Sequence, residues 1–376
     1  MGAGIAQLAL EAGHEVVLHD VDEVALERGR ARIRDGLVRR AAKLDLDADS
    51  IDDWVDGRLA GLREATSLDA LGAEADVVIE AALEDLGLKR TIFRTLDGAT
   101  PPEAILATNS SALSIAAIAE ATDRPARVIG LHFFNPAPVM PLVEIVTAPA
   151  TDPAIADAAA SLVERWGKTV VRCADTPGFI VNRVNRPFTL EALALLEEGA
   201  ADIETIDAAV RAAGFPMGPF ELMDLVGLDV NLAAARGISE GFLARGDPDA
   251  ERFRPSATQE RLVEADRLGR KTGLGFYAYD AAGRSTGAAE EVWTEVASPK
   301  PAAEIVERIR LAIAAEAHRA AADHVATAAD IDLAMRLGAS HPEGPFEWVR
   351  ASGGESAYRQ RLTAHSALGP RFSPVA

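Results

Sequence analysis

The chain has 376 residues, of which 48% are hydrophobic and 26% are charged, and its formal net charge is −20. This composition is typical of a globular protein with two or three domains, and the acidic balance excludes nucleic acid and an anionic membrane as partners. The single cysteine excludes an intramolecular disulfide and a cysteine-based metal site. Because there is no signal peptide and no apolar run of roughly 18 residues, we expect a cytoplasmic protein.

The start of the chain predicts a helix from Met1 to Gly13 and then a strand from Glu15 to Asp20. In a dinucleotide-binding fold these are the first helix and the second strand. A first strand and most of a Gly-x-Gly-x-x-Gly turn precede them. Gly2 would be the third glycine, where the helix packs closely. Asp20 would bind the ribose hydroxyls of adenosine, although a solvated strand-end acid is the commoner explanation.

Residues 2–175 alternate between strand-like and helical patterns. Further strands are predicted at Asp76–Glu80, Ala104–Asn109, Arg127–Phe133, Leu142–Val146 and Thr169–Arg172, and helices at Glu23–Lys43, Asp85–Leu96 and Asp152–Trp166. Strands separated by helices of this length predict a mostly parallel, doubly wound sheet.

Two of these strands each carry one ionisable side chain in an apolar run. His132 lies in Gly-Leu-His-Phe-Phe-Asn-Pro, and Glu144 follows twelve residues later in Leu-Val-Glu-Ile-Val. If a Pro-rich turn sets the strands side by side, the two side chains meet, and a carboxylate then orients the imidazole as a general base. Spacing alone leaves open a buried His–Glu pair without chemistry.

The chain becomes helical after Gly178, and it repeats itself. Ile206-Asp207 recurs as Ile331-Asp332 after 125 residues, and Gly-Pro-Phe-Glu ending at Glu221 recurs ending at Glu347 after 126. This indicates a duplicated helical unit. We therefore divide the chain into domains at 1–176, 177–297 and 298–376. The Gly- and Ala-rich stretch 281–289 and the segment 298–301 look like a linker.

Several motifs now stand in an order that covers almost the whole chain. They are Met-Gly-Ala-Gly-Ile-Ala-Gln, Val-Ile-Glu-Ala-Ala-Leu-Glu-Asp, Ala-Thr-Asn-Ser-Ser-Ala-Leu, Gly-Leu-His-Phe-Phe-Asn-Pro, Thr-Pro-Gly-Phe-Ile-Val-Asn-Arg, Gly-Pro-Phe-Glu-Leu-Met-Asp and Arg-Lys-Thr-Gly-Leu-Gly-Phe-Tyr. Together they closely resemble the bacterial 3-hydroxyacyl-CoA dehydrogenase family. The similarity is to its long form with a duplicated C-terminal domain, which includes 3-hydroxybutyryl-CoA and 3-hydroxyadipyl-CoA dehydrogenases.

The resemblance implies a fold, a cofactor and a set of site residues. The fold is a Rossmann-like sheet without its first strand, followed by two tandem helical domains of the 6-phosphogluconate-dehydrogenase C-terminal type. The cofactor is NAD, the substrate is an acyl-CoA, and no metal takes part. His132 is the catalytic base with Glu144 as its partner, and Ser111 and Asn182 flank the reacting oxygen. The NAD contacts, besides Gly2 and Asp20, are Glu84, Lys89, Ser111, Asn135 and Lys271; the CoA contacts are Lys43 and Ser111. A family serine near the CoA is Gly36 here.

Three of these roles have a structural alternative. Ser111 would otherwise cap the helix that starts near Ser114, and Asn182 would make a capping or interdomain hydrogen bond. Lys271 would be a solvated lysine in a Gly-rich turn. The duplicate argues for a site role of Asn182, because the equivalent position holds Glu307 and the helical unit therefore does not need an asparagine.

Two functional hypotheses follow. The first is an NAD-dependent dehydrogenase of 3-hydroxyacyl-CoA thioesters; the second is an N-terminally truncated or inactive homologue without cofactor binding. Because Met1 stands just before the third glycine, we expect weak or absent NAD binding by this chain. The sequence does not identify the acyl chain. We further expect the second helical copy to pack on the first in place of a partner's domain, with a homodimer as the other arrangement.

Overall fold

The computed structural model describes residues 1–44, 46–289 and 296–374. The chain forms two compact units, unit 1 from Met1 to Thr176 and unit 2 from Pro177 to Ala376. The two units differ in architecture: unit 1 is an α/β layer structure and unit 2 is almost entirely helical.

Unit 1 contains a sheet with helices packed against it. Its helices are α1 (Gly2–Glu11), α2 (Glu23–Ala42), α3 (Ala48–Leu59), α4 (Leu68–Gly72), α5 (Leu86–Ala99), α6 (Ile115–Ala119) and α7 (Pro153–Arg165). Its strands are β1 (Val16–Leu18), β2 (Leu62–Glu64), β3 (Val77–Glu80), β4 (Ile105–Thr108), β5 (Val128–Phe133), β6 (Leu142–Thr147) and β7 (Thr169–Ala174). The predicted Rossmann-like class is confirmed, and β2 is the strand that the sequence pattern missed.

The sheet of unit 1 is in two parts. β1 pairs with β2 in parallel, and β3 to β7 form a five-stranded sheet in chain order, in which β5 and β6 are antiparallel and the other pairs parallel. Helix α1 lies against both parts: Ile5 and Leu8 pack on the five-stranded sheet, while Ala6 and Leu10 pack against α2. A helix that is apolar on two faces is typical of such a buried position.

Aspartates begin the longer helices of this unit. The side chains of Asp22, Asp85 and Asp152 each accept a hydrogen bond from a backbone N–H in the first turn of α2, α5 and α7. Each cap satisfies one of the donors that a helix N-terminus leaves without an intrahelical partner. The strands β4, β5 and β6 are almost wholly buried because helices cover the sheet, which explains their continuous apolar runs.

Unit 2 is built from helices and one small hairpin. The helices are α8 (Val181–Val184), α9 (Arg186–Glu197), α10 (Ile203–Ala212), α11 (Pro219–Val226), α12 (Leu228–Ala244), α13 (Ala257–Glu264), α14 (Ala302–Ala322), α15 (Ala328–Gly338), α16 (Pro345–Ala351) and α17 (Gly354–His365). The hairpin consists of β8 (Tyr277–Tyr279) and β9 (Ser285–Ala288). The predicted linker at 281–289 is therefore wrong in part. Asp280 accepts hydrogen bonds from the N–H groups of Ala282 and Arg284, and this turn brings β9 back to β8.

The duplication predicted from the motifs is visible in the backbone of unit 2. Asp207 on α10 accepts a hydrogen bond from the N–H of Phe220, and Asp332 on α15 accepts one from the N–H of Phe346. A Cβ on Gly218, before Pro-Phe in the first copy, would lie 2.1 Å from Cγ of Asp207. A Cβ on Gly344, in the second copy, would lie 2.3 Å from Oδ1 of Asp332. The recurring Gly-Pro-Phe motif is thus a close-packing device.

Ion pairs are exchanged reciprocally between the two copies. Arg183 of the first copy contacts Glu316 of the second, with its Nε 2.7 Å from Oε1, and Arg308 of the second contacts Glu191 of the first at 2.5 Å. Arg308 and Glu316 each lie 125 residues after their counterparts, the offset of the motif repeat. This reciprocity is what a two-fold axis imposes on identical subunits, and here it relates two halves of one unit.

A buried histidine links α8–α9 to the second copy. Nε2 of His341 lies 2.8 Å from Oδ1 of Asn185, its ring packs against Phe188 and Phe215, and burial lowers its pKa from 6.5 to about 3. The unfolded chain therefore binds a proton between pH 6.5 and 3 that the folded chain does not. The resulting contribution to stability is complete above pH 6.5 and is lost as the pH falls through this window.

We expect the free energy of unfolding of His341→Gln to depend less on pH, below pH 6.5, than that of the parent. When the pH is lowered from 6.5 to 5, protonation of His341 in the unfolded chain removes about 2 kcal/mol from the free energy of unfolding of the parent. The variant has no histidine at this position and should not lose this amount. Urea denaturation at both pH values measures it, and His324→Asn, at an exposed histidine, is the control. An acid profile of His341→Gln equal to that of the parent would show that another group is responsible.

Candidate active site

The strands β5 and β6 bring His132 and Glu144 together. The two residues are direct partners in the antiparallel register, and Nδ1 of His132 lies 2.5 Å from Oε2 of Glu144. His132 is 6% exposed and Glu144 is fully buried. The predicted meeting of the two side chains is confirmed. With the carboxylate at Nδ1, the proton of a neutral imidazole sits on Nδ1 and the lone pair on Nε2.

Ser111 lies in the loop that follows β4, at the carboxyl end of a parallel strand. Oε1 of Glu84 accepts hydrogen bonds from the Oγ of Ser110 at 2.6 Å, from the N–H of Ser111 at 2.8 Å and from the N–H of Ala112 at 3.0 Å. Burial opposes ionisation of Glu84, but these bonds and the charge of Lys89 outweigh it and lower its pKa. Glu84 is therefore an ionised anchor of the Ser111 loop.

The alternative reading of Ser111 as a helix cap is wrong. Helix α6 is capped by Ser114 itself, whose Oγ accepts a hydrogen bond from the N–H of Ala117. The Oγ of Ser111 points toward Glu84, 3.3 Å from its Oε1. Ser111 is thus held in the loop by Glu84.

Lys89 is deeply buried, although the sequence places it among the NAD contacts. It is 1% exposed, and its Nζ lies 2.8 and 2.9 Å from the two carboxylate oxygens of Glu80 and 3.5 Å from Glu84. Glu80 also accepts a hydrogen bond from the Oγ1 of Thr108 at 2.6 Å. Glu80 and Thr108 were missed from the sequence, where the available signal was a single acid at the end of the apolar run Val77–Ile79.

Gly2 and Asp20 lie at the ends of two elements of unit 1. Gly2 begins the ten-residue helix α1, and a Cβ at this position would be 3.8 Å from that of Ala81, just after β3; this is an ordinary van der Waals contact, so the structure leaves room for a Cβ where close packing was predicted. Asp20 follows β1, is exposed, and accepts a hydrogen bond from the N–H of Val21. The carboxylate of Asp20 after β1 fits the ribose hydroxyls of NAD, and the N-terminus of α1 beside β3 fits its phosphate groups. Asn135 is exposed in the turn between β5 and β6.

Two predicted site residues belong to unit 2. Asn182 lies on α8 and is partly buried, and Lys271 is exposed with its Nζ 2.5 Å from Oδ1 of Asp229. The hydrogen bond from Lys271 lowers the pKa of Asp229. Unit 1 therefore holds the His132–Glu144 pair and the Glu84–Lys89–Ser111 group, while Asn182 and Lys271 lie on separate elements of unit 2.

The predicted CoA contacts lie around α2. Lys43 is the exposed C-cap residue of this helix. At Gly36, where the resemblance leads one to expect a serine, a Cβ would lie 2.0 Å from Oε1 of Gln7, so a side chain there requires the Gln7 amide to move. The amide of Gln7, which donates to Glu11 at 2.7 Å, occupies that space in this structure.

Among the residues that the structure describes, no group of three or more His, Cys, Asp or Glu side chains is arranged to hold a metal ion. Within the same residues, no helix has the length and apolar character needed to cross a bilayer.

The chain matches a known protein family over most of its length. Residues 1–176 match the NAD-binding domain of 3-hydroxyacyl-CoA dehydrogenase, and residues 178–279 and 305–374 match its C-terminal domain. The chain is 47% identical over 282 residues to 3-hydroxyadipyl-CoA dehydrogenase of Escherichia coli, an alignment covering 75% of this chain and 57% of that protein. It is 42% identical over 281 residues to mitochondrial hydroxyacyl-coenzyme A dehydrogenase of Rattus norvegicus, covering 74% of this chain and 88% of the relative.

A solved structure extends the likeness to the whole chain. The crystal structure of 3-hydroxybutyryl-CoA dehydrogenase from Escherichia coli K12 superposes with a TM-score of 0.87 at 35% identity, covering 100% of this chain and 94% of that one. The C-terminal domain profile is matched by both helical copies, as the repeated motifs predict. The chain therefore belongs to the 3-hydroxyacyl-CoA dehydrogenase family and is an oxidoreductase with an NAD-binding Rossmann domain.

Proposed function

We propose that the protein oxidises the 3-hydroxyl group of (S)-3-hydroxyacyl-CoA thioesters to the 3-oxo group, with NAD as the oxidant. The observation that carries this proposal is the 2.5 Å contact between Nδ1 of His132 and Oε2 of Glu144 on paired strands. The names of the relatives support the substrate class. Fatty-acid β-oxidation, or a related breakdown of acyl-CoA in the cytoplasm, is the setting that this chemistry suits.

Nε2 of His132 takes the proton of the substrate hydroxyl group. As the proton leaves, the electron pair of the O–H bond forms the second carbon–oxygen bond and hydride leaves C3. NAD, when bound, would supply the acceptor for that hydride. The carboxylate of Glu144 stabilises the imidazolium that forms and keeps the ring oriented. Because both side chains are buried, this electrostatic stabilisation is stronger than it would be in water.

Ser111 and Asn182 supply the hydrogen bonds to the reacting oxygen in this proposal. The anchoring of the Ser111 loop by Glu84 supports a fixed position for its hydroxyl. For the cofactor, Asp20 would bind the adenosine ribose, Asn135 and Lys271 would contact NAD, and Lys89 would act through Glu80 and Glu84, since its ammonium group is buried. Lys43 remains the proposed CoA contact.

The test is oxidation of a panel of 3-hydroxyacyl-CoA thioesters, followed by the absorbance of NADH. We expect turnover of the (S) isomers and none of the (R) isomers. NADH fluorescence titration separates this proposal from an inactive homologue. Micromolar binding supports the dehydrogenase and contradicts the sequence-based expectation of weak binding; the absence of binding favours the inactive homologue.

For the assembly, we propose that the second helical copy takes the place of a partner's domain. The reciprocal pairs Arg183–Glu316 and Arg308–Glu191 support this, because identical subunits related by a two-fold axis would exchange contacts in the same way. A homodimer would then need another face. Sedimentation velocity of the purified chain distinguishes a monomer from a dimer.

A further inference from the structure

Asn109 is the first residue after β4, and the proposed function gives it no role. Its backbone N–H donates to the carbonyl oxygen of Glu80, the last residue of β3, at 2.7 Å. The register of β4 with β5 ends one residue earlier, where Thr108 pairs with Gly130. Asn109 therefore lies where the carboxyl ends of three neighbouring parallel strands meet, which is the edge of an open α/β sheet at which ligands bind.

The side chain of Asn109 extends the hydrogen bonding between β4 and β5 beyond the last residue of β4. Its Oδ1 accepts a hydrogen bond from the backbone N–H of Phe133 at 2.8 Å. Phe133 is 3% exposed, and a buried N–H without an acceptor is costly to the fold. Because an N–H can only donate, this bond also fixes the orientation of the amide, with its oxygen toward Phe133 and its NH₂ group away from it.

This hydrogen bond joins two parts of the candidate site. Phe133 directly follows His132 on β5, and Asn109 stands two residues before Ser111. Ser111 is itself held in its loop by Glu84. The bond from Phe133 to Asn109 thus connects the strand that carries the base with the loop that carries the serine, at the point where both leave the sheet.

We propose that Asn109 is a positioning residue, which holds Ser111 and His132 at the separation at which Oγ of the one and Nε2 of the other reach the same substrate hydroxyl group. This inference rests on the proposed function. Asn109 acts through the backbone of Phe133 and touches neither the substrate nor NAD. Reacting groups must be held close to their productive geometry, and a displacement of about 1 Å can cost about 10²-fold in rate. Loss of this hydrogen bond should therefore affect the rate more than binding.

Asn109→Leu tests the proposal, because leucine has nearly the size of asparagine and accepts no hydrogen bond. We expect kcat for (S)-3-hydroxybutyryl-CoA to fall by about tenfold to 10²-fold, with the KM values for the thioester and for NAD close to those of the parent. Each kcat is divided by the number of NADH sites titrated in the same sample, so that an inactive fraction does not count as slow turnover. If Asn109→Leu does not fold, Asn109→Ala takes its place with the same expectation.

The outcomes separate this inference from the proposed function. A parental kcat in the Asn109 variant overturns the inference and leaves the proposed function standing. A parent chain that oxidises no 3-hydroxyacyl-CoA thioester removes both.

Thr151→Val is the matched control, because it removes a bond of the same kind from the other end of the same strand. The Oγ1 of Thr151 donates to the backbone oxygen of Val128, the first residue of β5, at 2.8 Å, and Thr151 is half-buried like Asn109. A purely structural role of Asn109 predicts that both variants lose thermal stability and turnover together. We expect comparable losses of stability, but a parental kcat in Thr151→Val. A kcat that falls equally in both variants overturns the inference.

Asn109→Asp separates the oxygen of the amide from its NH₂ group. Its carboxylate can still accept the N–H of Phe133, so this variant should keep more of the parental kcat than Asn109→Leu. Hydrogen exchange followed by mass spectrometry should show faster exchange at the end of β5 in Asn109→Leu and the parental rate in Asn109→Asp. An Asp variant that keeps this protection and is as slow as the Leu variant would show that the NH₂ group matters instead, and would overturn the positioning role.

Discussion

Replacing His132 by alanine is expected to lower kcat/KM for 3-hydroxybutyryl-CoA by about 10²–10⁴-fold, the range that a general base contributes. Without the imidazole, only water can receive the hydroxyl proton. NADH binding should be unchanged, because His132 lies on β5 against Glu144 and the Phe134 ring, whereas the proposed ribose contact, Asp20, follows β1. Stopped-flow turnover with NAD in large excess measures kcat/KM. Fluorescence titration of the protein with NADH, in a separate sample, measures NADH binding.

Glu144→Gln sharpens this experiment. The amide keeps the size of the side chain, but it cannot stabilise an imidazolium as a carboxylate does, so kcat should fall with little change in KM. His14→Ala, at an exposed histidine of the same unit, is the control and should behave like the parent. Turnover that survives in His132→Ala would show that another group is the base.

Glu316→Leu is expected to lower the free energy of unfolding by about 3–5 kcal/mol, the effect of removing one partner from a buried ion pair. Glu316 is 1% exposed and receives the Nε of Arg183 at 2.7 Å and the Nε of Arg252 at 2.8 Å. Its loss takes from both guanidinium groups their closest buried acceptor. Urea denaturation measures the effect, and Glu260→Leu, which removes only an exposed pair with Arg236, should change stability by less than about 1 kcal/mol.

The reciprocal position provides a second measurement. Glu191 receives the Nε of Arg308 and the Nε of Arg371 at 2.5 and 2.6 Å, so Glu191→Leu should be destabilising to a similar extent. Deleting residues 298–376 removes one side of every such pair, and the shortened chain should precipitate or self-associate. A shortened chain that stays soluble in the oligomeric state of the parent would contradict this account of the interface.

Much of the candidate site could be predicted from the sequence. The meeting of His132 and Glu144 could be predicted because a lone ionisable residue in a buried strand is conspicuous, and a short Pro-rich turn leaves few registers. β2 (Leu62–Glu64) was missed because it has three residues, two of them charged and exposed. It therefore lacks the apolar run that marks the other strands.

Contacts distant in sequence explain the remaining gaps. Arg183 and Glu191 recur as Arg308 and Glu316 at the offset of the repeat, yet nothing local in the sequence shows that each pairs with the other copy. The resemblance placed Lys89 at the cofactor, and its burial was not foreseen because it depends on contacts with Glu80 of β3, which also binds Thr108 of β4.

The fused two-fold arrangement of unit 2 has a consequence for how the protein responds to dilution and to mutation. A contact between separate subunits weakens as the protein becomes scarce, whereas the pairs around Glu191 and Glu316 form within one chain at a fixed effective concentration. In one chain, a single codon substitution also changes one of two related positions and leaves the other as it was. Position 182 can thus keep an asparagine while position 307 becomes glutamate, a divergence that no symmetric pair of identical chains can make.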